Sequence, residues 1–274
     1  MATIPQTEFT HEGVTLNVRD AGKGPVVAVL SGWGYGALMG EVAFADLRAD
    51  GFRVITFDVP GTGGLKDKSA FVHIPRIGRA VAAYLRSCNG VDATLIGHSF
   101  GGLIAKEMAL TEDDVVGRLV LISPVSGVGN IVPDMNVAMD MLGRLMSGEA
   151  GVLTYLFSPS SLGKLRTTLG DVFEELDRPA SSSALSGQVW AASRWTAFGR
   201  LPALYQDVLI LHGDKDPISP ILSARHLERQ IPKAQLIVLE ACGYLPFIEC
   251  KSKTLEAVKA FIGAPKAAKR TVSK

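Results

Sequence analysis

The sequence predicts an α/β fold: a mostly parallel, doubly wound sheet with a helical insertion. Short, almost wholly apolar runs rich in β-branched residues recur along the chain, as is typical of strands buried on both faces. Amphipathic helical patterns separate several of these runs, and this alternation favours parallel strands joined by right-handed crossovers. Ligands bind at the carboxyl ends of the strands in such sheets, so the functional residues are expected there.

The predicted strands share their apolar character and their enrichment in valine, isoleucine and leucine. In chain order they are Val26–Leu30, Arg53–Phe57, Ala93–Ile96, Leu119–Ile122, Val208–Leu211 and Gln235–Leu239. Two predicted helices carry apolar residues three and four positions apart, which places those residues on one helix face. They are Ile74, Ile77, Val81 and Leu85 in the first helix and Leu255, Val258 and Ile262 in the second.

The alternation stops between residues 125 and 202, where no strand-like run occurs. A structureless connection of that length is implausible in a compact domain, so the sequence predicts a helical cap. The α/β core is then formed by residues 1–124 and 203–274. Its last part, about residues 265–274, carries Lys266, Lys269, Arg270 and Lys274 among Ala, Pro and Ser and is predicted to be a disordered basic tail.

Three large side chains of the predicted cap are candidates for substrate binding. Methionine and tryptophan suit an adaptable apolar pocket, which singles out Met139, Trp190 and Trp195. The alternative, of at least equal weight, is that these residues only pack the cap onto the core.

Charge and composition exclude several classes of protein. The 28 Lys and Arg residues nearly balance the 27 Asp and Glu residues, which leaves no broad basic field for nucleic acid or anionic lipid. No apolar run approaches the ~18 residues of a membrane span, and the first residues lack the pattern of a signal peptide. The expectation is a soluble cytoplasmic protein, monomer or homodimer, without a nucleic-acid partner or a membrane span.

From the cysteines and the acidic residues we expect neither disulfide bonds nor a metal site. Cys88, Cys242 and Cys250 are odd in number and show no CxxC spacing, so we expect ordinary reduced thiols and no thiolate zinc site. No His/Glu cluster at ligand spacing accompanies the acidic residues, and therefore no metal site is expected.

The strongest motif is Gly97-His98-Ser99-Phe100-Gly101, which follows a predicted strand directly and leads into a helical pattern. This is G-x-S-x-G in the strand–turn–helix context in which it forms a nucleophile elbow. The flanking glycines are needed because the turn brings strand and helix so close that a Cβ would collide. Ser99 is therefore the predicted nucleophile, in a strained backbone conformation above the sheet edge.

From this motif onward the sequence resembles the α/β-hydrolase fold superfamily over nearly its whole length. Ser31-Gly32-Trp33-Gly34 stands where many members carry His-Gly-x-Gly, and the resemblance implies an oxyanion hole formed by the backbone N–H groups of Trp33 and Phe100. The segment from Asp58 to Gly64 is similar to the family's D-x-P-G-x-G-x-S turn, for which we expect a structural role. His212-Gly213-Asp214-Lys215-Asp216-Pro217 resembles H-G-x-x-D and implies that Asp216 is the triad acid.

The family pattern breaks at the position of the catalytic base. The expected segment G-H-x-x-x-x-E reads Gly243-Tyr244-Leu245-Pro246-Phe247-Ile248-Glu249, so that Tyr244 replaces the histidine. A phenol with a pKa of about 10 stays protonated at neutral pH and is a poor base. If Tyr244 donated its hydroxyl proton to Asp216, the two groups would satisfy each other and leave Ser99 without activation.

Three explanations of Tyr244 remain open on the sequence alone. The chain is an inactivated variant of an ordinary hydrolase, or another group, of which only His212 is placed suitably, acts as the base. Alternatively, the protein has exchanged hydrolysis for ligand binding or for a cofactor-independent lyase or cyclase reaction. The first and third explanations carry about equal weight.

Within the superfamily the nearest resemblance is to intracellular polyhydroxyalkanoate depolymerases and related carboxylesterases. It rests on Phe57–Gly61, Trp195-Thr196, Asp216–Pro220 and Gln230–Leu236. The function it implies is a serine hydrolase that forms an acyl-enzyme on Ser99 with a small, apolar or aromatic carboxylic ester, impaired by Tyr244. No cofactor is implied, because activated serine chemistry needs none.

Overall fold

The computed structural model describes residues 4–65, 71–127, 135–147, 153–170 and 181–263. Within these ranges the strands form one eight-stranded sheet in the order β1-β2-β4-β3-β5-β6-β7-β8. The strands are β1 Gln6–His11, β2 Val14–Ala21, β3 Val26–Leu30, β4 Arg53–Asp58, β5 Ala93–His98, β6 Val116–Ile122, β7 Asp207–Gly213 and β8 Ala234–Leu239. The strands from β3 to β8 pair in parallel, which confirms the predicted fold class.

The first two strands form an antiparallel hairpin that the apolar runs did not indicate. In β2 the side chains of Val14, Leu16 and Val18 are buried and alternate with half-buried ones, a period of two rather than a continuous run. β1 is an edge strand that is largely exposed, so its sequence has no reason to be apolar.

The described helices are α1 Ala37–Phe44, α2 Ile74–Ser87, α3 Phe100–Thr111, α4 Met135–Ser147, α5 Leu153–Leu156, α6 Leu162–Leu169, α7 Ser182–Ser193, α8 Ile221–Gln230, α9 Pro246–Glu249 and α10 Lys251–Gly263. The predicted apolar faces of α2 and α10 are buried. Helices α4 to α7 lie between β6 and β7, in the stretch predicted to be helical. The proposed basic tail, residues 265–274, lies outside the described residues.

Apolar side chains cover the sheet on both faces. Successive residues of β3 belong to different clusters: Ala28 packs with buried residues of α2 and α3, and Val29 packs with those of α1 and α10. Because neighbouring strand residues point to opposite faces, this division marks a doubly wound sheet with one core on each side. The carboxyl ends of β3, β5 and β7 therefore open on the same edge.

One prediction about the cysteines is wrong. Cys242 and Cys250 form a disulfide, with their Cα atoms 6.3 Å apart, whereas Cys88 is a free, half-buried thiol. The two partners are eight positions apart, and the chain between them turns back through the short helix α9. Spacing alone did not indicate the pair, because proximity here depends on that turn.

Candidate active site

Ser99 stands at the sharp turn between β5 and α3. Its backbone angles, φ 48° and ψ −110°, lie in a region that side-chain-bearing residues rarely adopt. A Cβ at Gly101 would meet the backbone oxygen of Leu30, and a Cβ at Gly97 would lie 2.7 Å from the Cα of Gly102. The glycines thus permit the close approach of strand and helix, and the strained serine is held at the first turn of α3.

A small cleft lies above Ser99. Its walls include Trp33, Val125, Ile218 and Tyr244, and its lining is mostly apolar. About 350 Å³ of empty space lies within the cleft and its open mouth. Elements that are far apart in the sequence converge here: the loop after β3, the segment after β6, the turn after β7 and the loop after β8. The cleft suits a small, uncharged ligand group.

Tyr244 lines the cleft together with Ser99. Its side chain is buried, and its ring packs edge-on against His98 with 4.6 Å between ring centroids. Burial raises the pKa of Tyr244 above its ordinary value, the nearby charge of Asp216 raises it further, and interaction with the Ser99 hydroxyl opposes this shift. The phenol is therefore neutral at physiological pH and cannot take the Ser99 proton.

The side chain of Asp216 is buried, and its two carboxyl oxygens have different surroundings. Its Oδ1 atom accepts hydrogen bonds from the backbone N–H groups of Ile218 and Ser219, both at 2.9 Å. Its Oδ2 atom has no hydrogen-bond partner among the described residues. Burial raises the pKa of Asp216 to about 6 despite these N–H donors. Among the described residues Tyr244 donates no hydrogen bond to Asp216 Oδ2, and its hydroxyl interacts with Ser99.

Two histidines near the site are unsuited to act as bases at neutral pH. His98 is buried, with its Nε2 atom 3.2 Å from the carbonyl oxygen of Tyr244, and burial lowers its pKa to about 3. His212 places Nε2 3.8 Å from Asp216 Oδ2, and burial lowers its pKa to about 4. His212 is not among the residues that line the cleft. These contacts make both histidines neutral packing partners.

The loop of residues 31–36 places Trp33 at the cleft. The loop is braced from within, because Tyr35 N–H donates to Gly32 O at 3.2 Å and Ser31 Oγ donates to Gly36 O at 2.9 Å. Trp33 lines the cleft beside Ser99, and Phe100 follows Ser99 as the first residue of α3. Trp33 and Phe100 are therefore both close to Ser99, and their role as oxyanion donors stays a prediction.

A buried carboxylate shapes the neighbouring turn. Asp58, at the end of β4, accepts hydrogen bonds from Ala37 N–H at 2.6 Å, Gly64 N–H at 3.0 Å and Gln6 Nε2 at 2.9 Å. It thereby ties the first turn of α1 to the glycine-rich segment after β4. This is the structural role expected for the D-x-P-G segment.

Glu249 frames the loop that carries Tyr244. Its carboxylate accepts hydrogen bonds from Gly243 N–H at 2.7 Å and from the backbone and hydroxyl of Ser158. On the other side of Tyr244, Leu245 N–H donates to Leu156 O at 3.1 Å. The loop is therefore held at both neighbours of Tyr244 by bonds that do not use the tyrosine side chain.

The three candidate substrate-binding residues do not join this group: none of them lines the described cleft. Met139 lies on α4 with 60% of its surface exposed. Trp190 is half-buried and packs against His73, with 4.6 Å between ring centroids. Trp195 is buried, and its Nε1 donates to Glu107 at 2.8 Å. The substrate-binding role assigned to them from the sequence stays a prediction.

The contacts of Trp195 predict the result of a conservative substitution. We expect Trp195→Phe to lower the free energy of unfolding by about 1–2 kcal/mol, because the buried Glu107 carboxylate loses one donor. The same change should leave the KM for any ester substrate within about twofold. Urea unfolding and steady-state kinetics measure both quantities. A large rise in KM at unchanged stability would instead place Trp195 in the binding site.

Two buried polar residues beside the cleft had no motif to mark them. Lys106, on α3, donates from Nζ to Val125 O at 2.5 Å and to Ser126 O at 3.0 Å, and burial lowers its pKa to about 7. It braces the segment that forms one wall of the cleft. Gln188, on α7, accepts a hydrogen bond from Gly34 N–H at 3.0 Å. A single polar residue in a helix leaves no periodic signal, so the sequence could not reveal either contact.

Among the helices in the described part of the chain, none has both the length and the apolar character that crossing a bilayer requires.

Comparison with known proteins gives relatives that cover most of the chain. A poly(3-hydroxyalkanoate) depolymerase of Ectopseudomonas oleovorans is 28% identical over 85% of this chain and 83% of its own length. A pimeloyl-[acyl-carrier protein] methyl ester esterase of Chromobacterium violaceum is 27% identical over 89% of this chain and 97% of its own. A thermophilic esterase from Thermogutta terrifontis has a similar structure, with a TM-score of 0.79, 20% identity and coverage of 94% and 98%.

The match to a family model agrees with the observed fold. The model described as the alpha/beta hydrolase family matches residues 26–257, which extend from β3 into α10 and include every candidate site residue named above. The chain belongs to the alpha/beta hydrolase family, and it is a hydrolase-type protein of that fold.

Proposed function

We propose that the protein is a serine carboxylic-ester hydrolase in which Tyr244 slows acyl transfer. The observation that carries this proposal is the strained Ser99 at an apolar cleft, beside the neutral phenol of Tyr244. Strain of this kind is retained at functional sites, where the surrounding structure over-determines it.

The proposed reaction begins with attack of Ser99 Oγ on the acyl carbon of the ester. The developing oxyanion is stabilised by the backbone N–H groups of Trp33 and Phe100, and donors of this kind act without reorganisation. The alkoxide takes a proton from water and leaves as the alcohol, and water then hydrolyses the acyl-enzyme to the carboxylic acid and restores the Ser99 hydroxyl. The Ser99 proton must pass to solvent, because the Tyr244 phenol is already protonated. Loss of the base costs on the order of 10⁶ in turnover in a comparable triad.

The cleft favours a small ester whose acyl group is apolar or aromatic. Apart from Ser99, Ser219, Ser223 and the Tyr244 hydroxyl, its lining side chains are apolar or carry only an indole N–H. No charged side chain of the described residues lines it, so a strongly charged acyl group would be desolvated without compensation. One of the relatives named above is by name a methyl ester esterase, which agrees with an ester as the substrate.

Covalent labelling of Ser99 tests the proposal. Incubation with an uncharged aryl fluorophosphonate should add one phosphonyl group, detected by intact-protein mass spectrometry and located on Ser99 by peptide mapping. Ser99→Ala should remove the adduct completely while the far-UV circular dichroism spectrum stays unchanged. A folded wild-type protein that shows no adduct after prolonged exposure contradicts the proposal.

One observation supports a second candidate, a binding protein that does not hydrolyse esters. The hydroxyl groups of Ser99 and Tyr244 interact at the cleft, and neutral hydroxyl groups can donate to a ligand carbonyl. Quenching of tryptophan fluorescence by a small aromatic ketone measures such binding, since Trp33 lines the cleft. Weaker quenching in Tyr244→Phe, together with absence of the Ser99 adduct, would favour this candidate.

A further inference from the structure

We propose that Gln188 is a positioning residue that couples the seating of α7 on the core to the geometry of the loop carrying Trp33. This inference rests on the proposed function, because it assigns a purpose to the Trp33 N–H group. It concerns a side chain that belongs to no motif and does not line the cleft.

The amide of Gln188 joins three parts of the molecule. The side chain projects from α7 and is 1% exposed. Its Oε1 atom accepts the N–H of Gly34 at 3.0 Å, and its Nε2 atom lies 3.5 Å from the carbonyl oxygen of Pro60. Gly34 belongs to the loop after β3, and Pro60 belongs to the turn after β4. One side chain thus contacts both core loops from outside the sheet.

The bond to Gly34 acts on Trp33 through the backbone. The N–H of Gly34 belongs to the peptide unit that follows Trp33, and this unit shares the Trp33 Cα atom with the unit carrying the Trp33 N–H. Fixing the first unit therefore limits rotation of the second. Gly34 has φ 70°, a left-handed conformation that glycine adopts without penalty, and the Gln188 bond adds an external contact to the two hydrogen bonds within the loop.

Seating of α7 determines whether this contact exists. The helix is docked on the core by packing of its other residues: Ala191 is buried with the core of α2 and α3, and Trp190 contacts His73 at the start of α2. When α7 packs on the core, the buried Gln188 amide is hydrogen-bonded. When α7 moves away from the core, Gly34 N–H loses its acceptor. Because misplacement by about 1 Å can reduce a rate about 10²-fold, the oxyanion donor is competent only with α7 seated.

Matched substitutions of two buried glutamines provide the experiment. Gln188→Met removes both amide contacts at similar volume. Gln206→Met is the control, since Gln206 is also buried and donates to Ala109 O at 2.9 Å, away from the cleft. Gln188→Glu keeps an acceptor for Gly34, and its protonated form also restores the donor toward Pro60.

Ser99 phosphonylation is the first measurement. Gln188→Met should slow the labelling rate constant about 10- to 100-fold with less than a twofold change in half-saturating probe concentration, whereas Gln206→Met should match the wild type. Gln188→Glu should recover toward the wild-type rate as the pH falls, after normalisation to the wild type at each pH. Equal rates in Gln188→Met and Gln206→Met would overturn the proposal.

Amide hydrogen exchange is the second measurement and does not depend on catalysis. Exchange of the 31–36 segment should be at least about tenfold faster in Gln188→Met than in the wild type, with no such change in Gln206→Met. Faster exchange without any Ser99 adduct would support the coupling and reject the hydrolase function. Unchanged exchange would reject the coupling, whether or not Ser99 reacts.

Discussion

Tyr244→His is expected to raise the rate of ester hydrolysis by on the order of 10³-fold. An imidazole at this position would present one nitrogen to the unpaired Oδ2 atom of Asp216 and the other to Ser99, which supplies the missing base. The backbone around position 244 is already held by Glu249 and Leu156, so the new ring enters a formed loop. Steady-state hydrolysis of short-chain and medium-chain aryl esters measures the gain.

Two controls separate base catalysis from a change in shape. Tyr244→Phe removes the hydroxyl but supplies no base, and it should show no comparable gain. Adding Asp216→Asn to Tyr244→His should cancel most of the gain, because the imidazole loses the group that orients it. A folded Tyr244→His protein with wild-type turnover would count against an ester hydrolase and in favour of binding or of a different reaction.

Asp216→Asn alone is expected to stabilise the protein at neutral pH. Burial raises the pKa of Asp216 from 3.8 to about 6, so the folded protein retains a proton that the unfolded chain has already released. Stability therefore falls as the pH rises from about 4 to 6, and the loss persists above pH 6. A shift of this size corresponds to about 3 kcal/mol, and asparagine, which stays neutral, avoids it.

Urea unfolding of the wild type and Asp216→Asn between pH 4 and pH 8 measures this effect. The free energy of unfolding of Asp216→Asn, relative to that of the wild type, should increase from pH 4 to pH 6 and stay constant above pH 6. Asp214→Asn, which removes an exposed carboxylate of the same turn, should not reproduce the gain. If the variant were less stable than the wild type at pH 8, favourable interactions in the folded protein would have to offset the cost of burying the charged carboxylate.

The sequence predicted the parts of the fold that depend on burial. The strand Val26–Leu30 has the predicted bounds, and the other predicted strands extend by at most three residues at either end. For most of them the reason is that a run buried on both faces must be apolar throughout, whereas β8 is apolar although Ile237 and Val238 are exposed. The hairpin of β1 and β2 was not predicted, because its exposed edge strand need not be apolar. A search for alternating residues would have found Val14, Leu16 and Val18.

The elbow was predictable for a related reason. A Cβ at Gly97 or Gly101 would collide with neighbouring atoms, so the requirement for glycine is visible in the sequence. The contacts of Trp195, Gln188 and Lys106 were not predictable, because a helix side chain finds its partner through packing between distant elements. Trp195, chosen from the sequence for its size and type, donates instead to Glu107. Size and residue type do not indicate which neighbour a side chain meets.

The bonds that frame Tyr244 have an evolutionary consequence. Gly243 and Leu245 hold the loop through their backbones, so the identity of residue 244 is decoupled from the path of the chain. A tyrosine codon differs from a histidine codon by one base. A single mutation can therefore exchange tyrosine and histidine at this position while the loop keeps its backbone hydrogen bonds. Selection can then favour either residue on the same fold.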